Sequence, residues 1–564
     1  MLVLLAMILL SACATERPIG SATTSPGAAA EPTPGTPTAL ACPSSVPAAP
    51  ASVQWWQDRV FYEVFVRSFA DADGDGIGDL AGLAARLDYL NDGDPGTTDD
   101  LGVTGLWLMP IFESGSYHGY DVLDYEQIDA DYGDLATFTT FLEAAHQRGI
   151  KVILDLVVNH TSADHPWFRD ALAGGTRRDW YSWVDADPGW PGVAGGSPWH
   201  DSASGWYYGA FGEGMPDLNV ANPAVTDEVE RIATAWLDMG VDGFRLDAAK
   251  HLIETGPDTQ VNTPETHAWL RAFRDMLHAS HPEALVLGEV WEPRVVTSGY
   301  VADGSLDMAF DFGLGSTIVS AARLGDATSL EAGLKEVADR YPGGGAATFL
   351  TNHDQPRAMT ALRGDVGAAG LAAEALLTGP GIPFMYYGEE LGMLGTKPDP
   401  EIRTPFPWTA TGPGHGFTSG TPWEPFGAGA DTANVESDDA DPASLLSRYR
   451  ALIRLRATEP VLATGSIFRL ASSRRDVAAT LRWSGGRGAL MIQNLGDRPG
   501  EALAFALESG PLCGQPVATV VFTSSGSTVA TALPPSVTPA GGLDAYVPLQ
   551  VFPARSSVVI DLSP

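Results

Sequence analysis

Short apolar runs alternate with longer stretches of helical periodicity along most of this chain, and that repetition leaves few folds open to it. The runs fall at residues 60–65, 103–111, 152–158, 241–246, 285–290, 306–312, 348–350 and 382–387. Helical patterns at 135–147, 229–239, 267–278 and 330–340 are among those that separate them. Short apolar runs bounded by turn residues suit strands buried on both faces, and the 3.6-residue patterns suit helices. A βα alternation repeated to eight predicts an α/β fold, a closed parallel (β/α)8 TIM barrel with its active site at the C-terminal ends of the strands. The segment 161–222, between the third strand and its helix, is too long for an ordinary βα loop and predicts a small inserted domain. The barrel then occupies 53–160 and 223–460. After a helical stretch at 445–456, residues 461–564 alternate β-branched runs with Gly and Ser turns, which predicts a C-terminal antiparallel all-β domain.

Residues 1–12 form an uncharged, Leu-rich run ending in Leu10-Ser11-Ala12-Cys13, with no basic residue before it. The run is too short to cross a bilayer as a mature helix and reads as the apolar core of a signal peptide. Its end is similar to the bacterial lipobox, which implies that Cys13 is lipidated and becomes the new N-terminus. The expectation is an exported protein, anchored by lipid to the cell envelope at the cell surface or periplasmic face, touching membrane only through that anchor. Residues 14–52 are Ala, Thr, Pro, Ser and Gly with almost no large apolar side chain, so they form a tether rather than a core. Cys42 and Cys513 remain; in an oxidising compartment they pair as a disulfide, or they are two unrelated thiols. The net charge of −37 repels phosphate backbones, so nucleic acid is excluded as a partner and a neutral substrate or a cation fits better.

Chemistry-bearing residues fall where the barrel would place its active site. Within Gly243-Phe-Arg-Leu-Asp-Ala-Ala-Lys-His251, strand alternation sets Arg245 and Asp247 on one side, so guanidinium and carboxylate project together. A carboxylate beside a cation suits a nucleophile, provided that a second carboxyl of opposite protonation bias comes from another strand. Glu289, in Gly288-Glu-Val-Trp291, ends the fifth run beside an aromatic able to desolvate it, as a general acid requires. Asp354 closes Thr351-Asn-His-Asp354, Asp155-Leu-Val-Val-Asn-His160 closes the third run, and His118-Gly-Tyr-Asp121 follows the second. Between the first strand and helix, Asp71-Ala-Asp-Gly-Asp-Gly-Ile-Gly-Asp79 alternates carboxylates with glycines. That spacing predicts a nine-residue Ca2+ loop, with Asp71, Asp73, Asp75 and Asp79 as side-chain ligands and the Ile77 carbonyl completing the cage.

The stretches ending in His160, His251, Trp291 and Asp354, in this order, resemble the signature regions of the α-amylase family of retaining glycoside hydrolases. The resemblance covers nearly the whole chain after the tether. It implies Asp247 as nucleophile, Glu289 as acid/base and Asp354 as the carboxylate that binds substrate hydroxyls and supports the transition state. Arg245 would fix the ionisation of Asp247, His160 and His353 would bind sugar hydroxyls, and Tyr120 would stack under the ring whose bond breaks, with Asp121 beside it in the substrate site. Lys250 and His251 resemble a pair that reaches toward a further sugar on the reducing-end side. A second Ca2+ site is implied by Met215-Pro-Asp-Leu-Asn219, with Asp217, Asn159 and the His251 carbonyl as ligands. The chain looks intermediate between α-amylases and oligo-1,6-glucosidase or neopullulanase-like members. The implied activity is hydrolysis of α-1,4 bonds in starch, maltodextrins or related α-glucans by a monomer; an exo-acting α-glucosidase, an oligo-1,6-glucosidase and a transglycosylase are the alternatives. Ala248, just after the nucleophile, stands where α-1,6-specific members resemble one another in carrying valine. A binding protein on the same fold would have lost at least one of the three carboxylates, and all are present.

Overall fold

The computed structural model describes residues 54–192, 195–524 and 532–563; Cys13, Cys42, the leader and the tether lie outside them. Eight parallel strands close a barrel: β1 (Phe61–Val64), β2 (Gly105–Leu108), β3 (Lys151–Leu156), β4 (Gly243–Leu246), β5 (Leu285–Gly288), β6 (Met308–Phe310), β7 (Ala346–Thr348) and β8 (Ile382–Tyr386). Neighbours in the sheet are neighbours in the chain, and β8 closes on β1. This is the expected (β/α)8 architecture.

Alternation along each strand separates two environments. Phe61, Trp107, Ile153, Leu285, Phe310 and Phe384 share an inner cluster, whereas Tyr62, Leu106, Val152, Phe244 and Val286 join the larger layer beneath the helices. Phe61 stacks on Phe384 at 4.5 Å between ring centres, and Trp107 leans on Phe310 at 5.2 Å. Each such buried side chain contributes roughly 1.5–3 kcal/mol, so the lower barrel is a packed apolar plug. The inward positions one step higher are polar: Glu63, Asp155 and Arg245, all buried. At the base of β4, Gly243 has φ +153°, and a Cβ there would stand 2.3 Å from the Leu285 carbonyl oxygen. Only glycine lets β4 and β5 approach closely enough to bring Arg245 and Glu289 together.

The helices that orient the active-site face begin at caps. In α1 (Leu135–Gln147) the Asp134 side chain accepts from Thr137 N–H; α2 (Pro223–Asp238) starts at Asn222 and α3 (Pro264–Ser280) at Thr263, each with proline in the first turn. α4 (Ala327–Arg340) is capped by Asp326 and α5 (Leu445–Thr458) by Ser444. The seventh strand differs from expectation: it occupies Ala346–Thr348, two residues earlier than 348–350. Small Ala346 and Ala347 make the ladder, whereas bulky Phe349 and Leu350 are buried as the chain leaves it.

The insertion holds a short helix, Pro166–Leu172, and a three-stranded antiparallel sheet in the order Trp183–Val184, Trp206–Tyr208, Trp199–His200. Its aromatics divide between two cores: Trp199 and Tyr208, with Trp190 and Trp206 against them, form a small cluster of its own, whereas Phe168, Tyr181 and Tyr207 join the large core shared with the barrel. The C-terminal region is an antiparallel sheet ordered Ser466–Arg469, Val477–Ser484, Arg487–Asn494, Ser556–Ser563, Val517–Thr523, with a separate apolar core around Leu481, Leu490, Ile492 and Ile560. Cys513 in this region is disulfide-bonded, and the other two cysteines fall outside the described residues. Among the described residues no helix is long and apolar enough to cross a membrane.

Candidate active site

Arg245 is the hub of the C-terminal face. Its Nη1 donates to Asp247 Oδ1 at 2.7 Å, and to Asp155 Oδ1 and Oδ2 at 2.8 and 3.0 Å; its Nη2 pairs with Glu289 Oε2 at 2.9 Å. The Asp155 contact follows from register, since the two residues stand side by side on β3 and β4. One cation thus gathers three carboxylates from three consecutive strands. Burial raises the Glu289 pKa; Arg245 opposes that rise, and the charges of Asp247 and Asp354 add to it. Burial also pushes Asp155 up, to about 7, against the pull of Arg245. The Ala248 N–H donates to Glu289 Oε2 at 3.2 Å, from a residue with φ +48°.

Asp354, beyond β7, has the opposite bias. Burial works against the charge of Asp354, but His353 and Arg403 outweigh it and hold its pKa below the ordinary value. Arg403 Nη2 donates to Asp354 Oδ1 at 3.1 Å, while His353 Nε2 lies 3.3 Å from Oδ2. Burial lowers the pKa of His353, yet Asp354 and Glu63 raise it beyond that loss, with Nδ1 2.5 Å from Glu63 Oε1. Tyr120 stacks on His353, and its hydroxyl donates to Asp155 Oδ2 at 3.0 Å and lies 2.7 Å from His353 Nε2. The ring is therefore pinned at its tip.

These groups border a cavity of about 480 Å³ lined by Tyr120, His160, Asp247, Glu289, Asp354 and Arg403 among others. Burial depresses His118 and His160, and burial with Lys250 depresses His251 to about 4. Three neutral imidazoles on the wall suit a neutral polyhydroxyl ligand. Lys250 Nζ reaches the Trp291 carbonyl at 3.0 Å and Glu292 Oε1 at 2.8 Å, bracing the loop that carries Trp291. Trp291 stacks on Phe312 at 4.4 Å, so its ring faces the cavity mouth. Phe211, from the insertion, packs edge-on to His251 at 5.1 Å. Among the described residues the large aromatics left exposed are Phe211 and Trp291, and both line this cavity.

Arg245 and His353 lie behind the cavity wall. Asp121, expected to face substrate, is turned away: its Oδ1 accepts from the Ser116 and Ser114 hydroxyls and lies 3.8 Å from His118 Nδ1. The tight turn through Gly119 aims that carboxylate back into its own loop, where it orients His118. Arg403 has no signal in the sequence pattern, because it lies in an irregular stretch with neither period nor motif, 49 residues beyond Asp354. Asp399 holds it from the other side at 3.2 Å.

In the acidic loop, ligand atoms of Asp71, Asp73 and Asp79 lie within 4.8 Å of one another, a group to which Asp75 does not belong. Asp75 Oδ1 instead accepts from Ile77 N–H at 2.7 Å. Gly74 and Gly76, at φ +87° and +102°, turn the chain so that their amides reach Asp71. Asp79 caps the following helix through Oδ1 and accepts from Ala72 N–H through Oδ2. A carboxylate has about four acceptor sites, so these bonds leave lone pairs for a cation, and the all-oxygen donor set fits Ca2+. At the second expected site, Asn159 Nδ2 donates to Asp217 Oδ2 at 3.0 Å across the seam between barrel and insertion, and both residues are buried.

Three carboxyl groups from β4, β5 and β7, two of opposite protonation bias, at the C-terminal mouth of a TIM barrel define a glycoside hydrolase. Residues 63–465, well over half of the chain, match the profile described as "Alpha amylase, catalytic domain". The chain belongs to the α-amylase family, and it is an enzyme of that type. It is 39% identical over 433 residues to "Alpha-amylase 3" of Dictyoglomus thermophilum, covering 75% of this chain and 82% of that one. It is 31% identical over 526 residues to "Oligo-1,6-glucosidase" of Halalkalibacterium halodurans, covering 78% and 91%. Among solved structures, the alpha-amylase from H. orenii superposes with a TM-score of 0.79 at 41% identity, covering 90% of this chain and 99% of that one.

Proposed function

We propose that this enzyme hydrolyses internal α-1,4-glucosidic bonds of starch or maltodextrins with retention of configuration. The observation that carries the reading is the single guanidinium of Arg245 bridging Asp247 and Glu289. Two carboxyl oxygens held on one planar fork belong to the short separation of retaining enzymes, about 5–5.5 Å, rather than the wider gap that admits a water. In the first displacement an Asp247 oxygen bonds to the anomeric carbon while the glycosidic C–O bond breaks and Glu289 gives its proton to the departing oxygen. In the second, Glu289 takes a proton from water, which bonds to the same carbon as the Asp247 ester opens. Asp354, anionic between His353 and Arg403, accepts hydrogen bonds from ring hydroxyls in both steps.

Linkage choice rests on Ala248. It lines the cavity beside Asp247 in the left-handed region, where a β-branched side chain would both strain the backbone and crowd the incoming ring. Such a shape difference is worth about 1–3 kcal/mol of discrimination. Exposed Phe211 and Trp291 offer stacking faces beyond the cleaved bond, which supports longer chains, and the relative named "Alpha-amylase 3" points the same way. A product time course on starch, maltooligosaccharides, pullulan and isomaltose tests this. The expected pattern is a ladder of internal cleavage products with little action on isomaltose. Glucose released only from chain ends, or isomaltose cleaved faster than maltotriose, would replace it with the α-glucosidase reading, and accumulation of transfer products would replace it with a transglycosylase.

The same proposal includes Ca2+ on the Asp71, Asp73, Asp79 loop. An ion bound only by the native state stabilises by mass action, so chelator should lower Tm by several degrees and Ca2+ restore it. Asp73→Ala should remove that response, since the Asp73 carboxylate caps no helix. A Tm indifferent to both reagents, with no calcium in the purified protein, rejects the site. Export with lipid anchoring at Cys13 completes the reading: Cys13→Ala should move the enzyme from the membrane fraction to the soluble one, and an unchanged distribution refutes the anchor.

A further inference from the structure

A continuous set of contacts joins the acidic loop to the catalytic cavity. Asp71 N–H donates to Phe417 O at 2.9 Å, and Trp423 N–H donates to Gly76 O at 2.9 Å, so the segment 417–423, beyond β8, is laced along the loop. The Thr418 hydroxyl adds a bond to Asp71 Oδ2. Glycine allows the two backbones to come this close. A Cβ at Gly76 would stand 1.9 Å from Thr421 O, and one at Gly420 would stand 2.3 Å from Gly74 O.

Trp423 carries the contact inward. Its Nε1–H donates to Ser68 Oγ at 3.0 Å, and the Ser68 hydroxyl donates in turn to the Arg403 carbonyl. A hydroxyl can accept and donate at once, and Ser68, on the short helix Val66–Phe69, is fully buried, so both bonds are made away from bulk solvent. The Trp423 indole also stacks on Tyr117 at 5.5 Å, and the Arg403 guanidinium lies over that tyrosine, 6.0 Å from its ring centre. Arg403 Nε then donates to His353 O at 3.1 Å and Nη2 to Asp354 Oδ1 at 3.1 Å. Gly76, Trp423, Ser68, Arg403 and Asp354 thus lead, one bond at a time, from the loop to a carboxylate that faces substrate. Neither Trp423 nor Ser68 lines the cavity itself.

We propose that Trp423 and Ser68 are positioning residues that couple cation binding in the loop to sugar binding in the cavity, by fixing Arg403 and through it Asp354. The inference rests on the Ca2+ reading of the loop. The carboxylates of Asp71, Asp73 and Asp79 converge within 4.8 Å, and at that range they repel one another unless a cation lies between them. Relief of the repulsion tightens the turn from which Trp423 N–H hangs. Coupling between two sites is reciprocal, so whatever factor Ca2+ adds to sugar affinity, sugar adds to Ca2+ affinity.

The test uses the full chain carrying Asp247→Asn, which binds oligosaccharide without turning it over. Calorimetry with maltotetraose should show affinity about 5–10-fold weaker after chelation than with Ca2+, and Ca2+ itself should bind more tightly by the same factor when maltotetraose is present. Adding Ser68→Ala removes one buried hydroxyl and leaves every loop ligand in place. Its calcium-dependent rise in Tm should persist, its sugar affinity with Ca2+ should fall to that of the chelated parent, and chelation should then weaken it by less than about 2-fold. Trp423→Phe, which keeps a ring against Tyr117 and loses the N–H, should behave in the same way, so the point is decided even if one variant folds poorly. A calcium-dependent Tm with sugar affinity unmoved by chelation would overturn the coupling and leave the Ca2+ reading standing. A chelation effect as large in both variants as in the parent would overturn the roles of Trp423 and Ser68. A Tm and a calcium content that both ignore the ion would reject the Ca2+ reading, and the coupling with it.

Discussion

Asp247→Asn is expected to lower turnover on maltodextrins by on the order of 10⁴-fold or more while leaving Tm and oligosaccharide affinity nearly unchanged. The substitution is isosteric, and the amide oxygen still accepts the bond that Arg245 Nη1 makes to Oδ1 at 2.7 Å. What is lost is the anion that forms the covalent bond, and no neighbour replaces it. Asp155 is fully behind the wall and spent on Arg245 and Tyr120, and Asp354 lies on the far side of the cavity with His353 and Arg403. Unchanged affinity follows because the imidazoles and aromatics that face substrate are untouched. Steady-state kinetics with a melting curve for the same preparation decide the point; a variant keeping a tenth of wild-type activity would remove Asp247 from its role.

Glu289→Gln should cost about 10²–10⁴-fold on starch and much less on α-glucosyl fluoride, whose leaving group departs without a proton. The pH profile supplies the sign. The first step needs Glu289 protonated, and burial raises its pKa, so the active form persists to higher pH than an exposed glutamate would allow. Activity should fall as pH rises through that value, and this alkaline limb should vanish in the variant. Asp354 has its pKa depressed, so it stays anionic to low pH and leaves the alkaline limb to Glu289. A variant with an intact alkaline limb, or with equal losses on both substrates, would assign the proton to another group.

Much of this site is legible in the order of the amino acids. Alternation in Gly243-Phe-Arg-Leu-Asp247 places Arg245 beside Asp247, and the pair contact at 2.7 Å is what that periodicity implies. The barrel follows from the strand count, because eight βα units have a simple way to bury both faces of every strand. Helix starts carry a local signal too: Asn222-Pro223 and Thr263-Pro264 set cap and first-turn proline ahead of the first periodic apolar residue. The rest depends on register and on irregular chain. Asp155 meets Arg245 only because β3 and β4 pair as they do. Arg403 arrives on a stretch without period, and Asp121 is turned inward by a loop whose direction no alternation encodes. Asp75 shows the same limit, since equal spacing in the loop does not give equal convergence.

The whole mechanism depends on a covalent bond between Asp247 and the sugar. Incubation with a fluorinated α-glucosyl fluoride, which slows the second displacement, followed by proteolysis and mass spectrometry, reads this bond directly. The expected outcome is one added glycosyl group per chain, on the peptide containing Asp247, with inactivation that follows its appearance and is prevented by maltooligosaccharide. An adduct on any other residue, or no adduct together with inverted anomeric configuration in the first-formed product, would rule the bond out.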